Sequence, residues 1–384
     1  MQTRYRVLAA LAALMLVAVA AATVLAEPDR PAPAYDPAVA PIIERIDASE
    51  IYRTAADLQG IPTRVYPSAG NRQAADYLYG RLTAIPGLEV EYQDDRYRNV
   101  VATLPGRGGA AGETVVVGAH YDSASSDPGR APGATDDGAG VATVLELARV
   151  MSASGFDRTV QFAFWNAEET GKEGSGAYVR DAVERSMAIP LYLNYDGAFY
   201  DPEGRFVLDV LANEESAPFA EALARYNDLY GTGFELTRNV HGCASDHESF
   251  WEEGYPAIST HAEEHAPGAH SPEDTVEQIP LEYARRNAQL GLVLLASTAG
   301  PVAAPSAPAP GPVKWYPVGD PGSFLDARAG PGTAPVATPP DAVTPGPALK
   351  PGSRAYGLVP PSGGFVRWYP SARWKAGIAT PTFG

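Results

Sequence analysis

Six polar groupings along the middle of the chain have the residue types that bind metal ions or move protons. In order they are His120-x-Asp122, Asp136-Asp137-Gly138, Glu168-Glu169, Asp196, Ser245-Asp246-His247 and His270-x-x-x-Asp274-Thr275. Side chains two apart on a strand share a face. A metal-bound imidazole usually gives its second ring N–H to a carboxylate, a task open to Asp122 beside His120. Taken alone, that pair is more often a strand-end histidine next to a solvated acid. An Asp ahead of a helix is usually an N-cap, but two in succession let one cap while the other faces a cation. Adjacent glutamates at the end of a buried strand raise each other's proton affinity unless a cation is close. Glu168-Glu169 follows directly on the apolar Phe162, Phe164 and Trp165.

The elements around these groupings alternate. Val115–Val117, Val160–Trp165, Leu191–Leu193 and Phe206–Leu208 are β-rich apolar runs and predict buried strands. Val141, Val144, Leu145, Ala148 and Met151 recur at helical spacing, as do Phe219, Leu223, Tyr226 and Tyr230 in a segment opened by Ser216 and Pro218. Leu281–Thr298 predicts a last long helix. Strand alternating with helix points to a three-layer α/β/α fold with a mixed, mostly parallel central sheet. In such sheets ligands bind beyond the carboxyl ends of the strands, which is where His120, Glu168-Glu169 and Asp196 fall.

With 384 residues there is room for one large domain and something smaller. The charge is −17, from 29 Lys+Arg and 46 Asp+Glu. Residues 1–26 hold two basic side chains and residues 301–384 hold seven basic against three acidic, so residues 27–300 carry −23. That balance argues against nucleic acid as a partner. The single cysteine, Cys243, excludes an intrachain disulfide and a thiolate-rich zinc site, so a metal here needs His and carboxylate ligands.

Four segments follow. Residues 1–26 read as a signal peptide: Arg4 and Arg6, an apolar run Val7–Leu25 broken only by Thr23, and small residues before Glu27. Export to the extracellular space is the expected fate, with no stable membrane association after cleavage. An uncleaved anchor is the other reading, because the run is close to the ~20 residues that span a bilayer. Residues 27–41 are a Pro-rich lead-in, and residues 42–299 form the main domain. Residues 300–384 are a Pro/Gly/Ala-rich linker and tail, with 18 of the 36 prolines and two similar clusters, Trp315-Tyr316-Pro317 and Trp368-Tyr369-Pro370. Such a tail could touch the cell envelope.

Taken together, in this order and at strand ends, the groupings resemble the secreted two-zinc (co-catalytic) aminopeptidases. That superfamily also contains carboxypeptidases and the one-zinc glutaminyl cyclases. The resemblance spans about residues 70–295. It implies two zinc ions per chain, one on His120 and Asp196 and one on Glu169 and His270, with Asp136 bridging them. It further implies Glu168 as general base, Asp122 behind His120, and a cis peptide between Asp136 and Asp137. The implied substrates are peptides with a free N-terminus, handled by a monomer; the alternatives are a one-zinc glutaminyl cyclase and a carboxypeptidase of the same superfamily. Two positions depart from the pattern. The tyrosine that members carry near the metals has its places taken by Ala269 and Gly242, leaving His241 or zinc itself to stabilise an oxyanion. His247 reads as a residue that holds its own loop, and His261 and His265 as loop residues near the pocket mouth.

Overall fold

The computed structural model describes residues 32–239 and 244–302. The expected signal peptide, His241, Gly242, Cys243 and both Trp-Tyr-Pro clusters lie outside the described residues. Among the described residues no helix is long and apolar enough to cross a membrane.

Eight strands form one twisted sheet: β1 (Glu89–Gln93), β2 (Asn99–Leu104), β3 (Glu113–His120), β5 (Thr159–Trp165), β6 (Ala188–Tyr195), β7 (Val207–Ala212), β8 (Glu235–Asn239) and β9 (Ala257–Ala262). Their order across the sheet is β1-β2-β5-β3-β6-β9-β7-β8. The middle four, β5, β3, β6 and β9, run parallel, while β1, β2 and the β9/β7 contact are antiparallel. This is the mixed sheet that the alternating pattern predicts. Because the middle strands are parallel, they all end at one edge, and His120 pairs with Trp165 across that edge.

Strand periodicity divides the core. Val115, Val117 and Ala119 of β3 point into the larger layer, and Val116 points into the smaller one. The larger layer is closed by helices α2 (Ala48–Gln59), α3 (Ala69–Thr83), α4 (Ala139–Met151), α6 (Ala217–Tyr230) and α8 (Leu281–Ala299). The smaller is closed by α5 (Glu173–Glu184), with Tyr178, Val179 and Ala182, and by α7 (His247–Glu252), with Phe250. Each fully buried Val, Leu or Phe contributes roughly 1.5–3 kcal/mol relative to exposure. Gly118 leaves needed space in the smaller layer: a Cβ there would lie 2.6 Å from Trp165 Nε1.

Local signals set the helix starts. Asp47 and Ser68 cap α2 and α3 by accepting from the Ser49 and Asn71 amides, and Ser216 precedes Pro218 at the start of α6. A short helix, α1 (Ala40–Ile43), straddles the boundary drawn after residue 41, and its Ile42 and Ile43 are buried. At the far end, β10 (Pro301–Val302) pairs with β4 (Gly155–Phe156), so regular pairing runs through Val302.

One expectation is corrected. His261 is not a loop residue at a pocket mouth; it lies inside β9 and is buried. The run Ser259-Thr260-His261 looks too polar for a core strand, but Ser259 Oγ pairs with His261 Nε2 and accepts from Asn194 Nδ2 inside the protein. His265 does fall in the turn after β9, against Gly197.

Candidate metal centre

The carboxyl edge of the sheet gathers the polar groupings. His120 ends β3, Glu168 and Glu169 follow β5, and Asp196 follows β6. Asp136 comes from the irregular turn between β3 and α4, and His270 from the stretch after β9. His120 Nε2 lies 3.1 Å from Asp136 Oδ1 and 3.6 Å from Asp196 Oδ1, while its Nδ1 faces Asp122 Oδ1 at 3.5 Å. His270 Nε2 lies 3.1 Å from both Asp136 Oδ2 and Glu169 Oε2. Two groups of three donors result, His120–Asp136–Asp196 and Asp136–Glu169–His270. Asp136 belongs to both and turns one oxygen towards each.

The donor chemistry fits a dication. All ligand atoms are imidazole nitrogens or carboxylate oxygens, a set that suits zinc. Among the described residues Glu169 Oε1, a buried acceptor, has no hydrogen-bond partner, a costly arrangement unless positive charge is near. Proton affinities tell the same story. Burial opposes protonation of His120, but the Asp122, Asp136 and Asp196 carboxylates hold it well above its usual value. Hydrogen bonds to Asp136 and Glu169 push His270 up to about 11. Burial raises Glu168, against the pull of His120 and with the help of Asp196 and Asp246. The cluster draws in positive charge, and a dication supplies it more compactly than separate protons do.

Main-chain anchors place these side chains. Asp122 Oδ1 accepts from the Glu168 amide at 3.1 Å and Oδ2 from the Glu169 amide at 3.2 Å, so one carboxylate backs His120 and fixes the glutamate pair. The buried Ala167 has φ 59°, a left-handed backbone rare for a residue with a Cβ, where the chain turns off β5 ahead of Glu168. The Asn166 side chain accepts from the Ala167 amide and exchanges two hydrogen bonds with Asn71, at 2.8 and 3.1 Å. Asp274 accepts from Thr135 N, Thr135 Oγ1 and Asp136 N. The Asp136–Asp137 peptide is cis. Asp137 Oδ1 accepts from Gly140 N at 3.2 Å in the first turn of α4, whose N-cap is Gly138 and not an aspartate, while Asp136 faces the donors.

Behind Asp196 lies a second buried polar layer. Trp165 Nε1 donates to the Tyr192 hydroxyl, which donates to Asn194 Oδ1. Asn194 Nδ2 donates to Ser245 Oγ and Ser259 Oγ, and Ser259 Oγ meets His261 Nε2 at 2.8 Å. His247 opens α7, belongs to neither donor group, and packs edge-on against Trp251 at 4.5 Å. Burial lowers it to about 3, so it is neutral at ordinary pH.

The seven residues singled out from the sequence, His120, Asp122, Asp136, Glu168, Glu169, Asp196 and His270, therefore share one sheet edge. Sequence reasoning missed Arg64, Asn71 and Asn166. Asn166 sits directly before Ala167-Glu168-Glu169 and could have been suspected. Arg64 and Asn71 lie far upstream, in a stretch without a chemical pattern.

An α/β sheet whose parallel strand ends carry paired imidazole and carboxylate donors has the make-up of a metal-dependent hydrolase. Residues 99–295 match peptidase family M28, and the chain belongs to that family. Over 279 residues it is 26% identical to a probable leucine aminopeptidase of Trichophyton verrucosum, across 67% of this chain and 75% of that one. The crystal structure of the Legionella pneumophila LapA aminopeptidase superimposes with a TM-score of 0.64 at 23% identity, covering 72% of this chain and 79% of that one. A Bacteroides thetaiotaomicron glutaminyl cyclase gives a TM-score of 0.53 at 18% identity, over 65% of this chain and 98% of that one. At these identities the two structures share the fold.

Proposed function

We propose that this chain is an exported aminopeptidase that removes the first residue from peptides with a free N-terminus. In this reading His120 and Asp196 hold one zinc, Glu169 and His270 hold a second, and Asp136 serves both. The observation that carries it is the placing of the two Asp136 oxygens, one 3.1 Å from His120 Nε2 and the other 3.1 Å from His270 Nε2.

Bound there, the ions would supply Lewis acidity to a peptide carbonyl and bring the pKa of a water towards ~7. The chain's own residues do the rest. Glu168, held by its amide to Asp122 and raised in proton affinity by burial, takes a proton from the attacking water. As the new C–O bond forms and the C–N bond breaks, Glu168 passes that proton to the leaving amine. Asp122 keeps His120 and the glutamate pair in register throughout. The charge of −23 over residues 27–300 favours approach of a cationic N-terminus. Export rests on Arg4, Arg6 and the apolar run that follows them.

The deciding experiment uses residues 27–384, counts metals, and offers aminoacyl-anilides beside N-blocked and Gln-initiated peptides. Two zinc ions per chain and cleavage of unblocked anilides alone support the proposal. One zinc and cyclised N-terminal Gln would transfer the chain to the glutaminyl-cyclase reading, which the fold likeness favours as the second choice. Glu168→Gln should lower kcat by about 10²–10⁴-fold with zinc retained; unchanged kcat would remove Glu168 from the mechanism.

A further inference from the structure

Arg64 lies between α2 and α3, upstream of the family match, and is completely buried. Its four guanidinium hydrogen bonds all run to main-chain carbonyls. Nε donates to Tyr121 O at 2.8 Å, Nη1 to Pro132 O at 2.5 Å and Leu58 O at 3.4 Å, and Nη2 to Gly133 O at 2.8 Å. A buried cation without a hydrogen-bonded carboxylate is costly, and a buried apolar residue would fill the volume with less penalty.

The carbonyls it binds explain what it does. Tyr121 stands between His120 and Asp122, and Gly133 is three residues before Asp136. The Arg64 amide donates to Ser123 Oγ at 3.2 Å. Its carbonyl accepts from Asn71 Nδ2 at 3.0 Å, and Asn71 exchanges hydrogen bonds with Asn166, two residues before Glu168. One residue thus touches, directly or through one side chain, the three loops that present His120, Asp136 and Glu168-Glu169. The carboxylates of Asp274, Asp122, Asp137 and Asp136 favour its charge, against the cost of burial. Gly133 makes room for it: φ is +51°, and a Cβ there would lie 3.0 Å from Nη2.

We propose that Arg64 is a positioning residue that holds the donor loops together in the metal-free protein, its charge offsetting part of the carboxylate repulsion, so that metal enters a preformed site. The proposal rests on the metal-site reading above, and its test reads metal affinity separately from peptide cleavage. Full-length wild type, Arg64→Gln and Arg64→Lys are stripped of metal, checked for fold by circular dichroism, and titrated with zinc chloride against a chromophoric chelator. Arg64→Gln should bind zinc at least tenfold more weakly. Arg64→Lys, which keeps the charge and loses the fork, should fall between the two.

A folded Arg64→Gln whose zinc affinity drops less than threefold overturns the proposal, even if its melting temperature falls, since that is the behaviour of a plain structural buttress. Should Arg64→Gln fail to fold, Arg64→Lys and Asn71→Ala decide. A loss of threefold or more in either supports the proposal, and smaller losses in both overturn it. A wild-type chain that binds no zinc refutes the underlying metal site instead.

Discussion

The two donor groups share Asp136 but differ in how they are built. His120 and Asp196, the two donors of the first group that are not shared, sit at the ends of the adjacent parallel strands β3 and β6, and His120 is 1% exposed. In the other group, Glu169 follows a left-handed turn, and His270 comes from a long irregular stretch with its side chain 58% exposed. Sheet geometry fixes His120 and Asp196, whereas loops and main-chain anchors fix the shared Asp136 and the second group. A site assembled this way has one rigid half and one half that exchanges more easily with solvent.

The largest test removes what the halves have in common. Asp136→Ala should abolish peptide cleavage and cost both metal ions, measured by metal analysis after dialysis; retention of one full equivalent would show that the groups are independent. Separating the halves comes next. In chelated protein, His120→Ala leaves buried carboxylates without their imidazole and should destabilise by about 3–5 kcal/mol in denaturant unfolding. His270→Ala, at an exposed position, should cost less than about 1 kcal/mol there, while its zinc content falls from two to one. Equal destabilisation by the two would erase the distinction.

The smallest effect probes the polar layer behind the rigid half. His247 is lowered to about 3 from an unfolded value of 6.5, because burial disfavours the charged ring. The unfolded chain therefore binds a proton that the folded chain refuses between those values. The associated stability is complete above about pH 6.5 and is lost as pH falls towards 3. His247→Gln should flatten the acid limb by up to one proton's worth, ~1.4 kcal/mol per pH unit. An unchanged slope would mean that the layer admits water.

Much of this was legible in the sequence because it is local. Val115–Val117 and Val160–Trp165 announce buried strands, and polar residues directly after such runs must emerge at the sheet edge. The choice of ligands and the shared role of Asp136 came from the family resemblance that the order of the motifs carries, since spacing alone left each grouping open to a plainer reading. What stayed hidden depends on distant contacts. Asn71 meets Asn166 across 95 positions, and Arg64 reaches Gly133 across 69, with no periodicity to mark either. His261 was misplaced for a related reason: a polar run inside a sheet looks like a loop until its partners, Ser259 and the layer around Asn194, are known.

The shared carboxylate also has a thermodynamic consequence. A cation on His120, Asp136 and Asp196 and another on Asp136, Glu169 and His270 cannot be independent ligands of the protein. Whatever factor the first changes in the affinity for the second, the second must return to the first. With both groups filled, the occupancy of the exposed half would be linked to that of the more buried one, and a change in free metal outside would be felt at both.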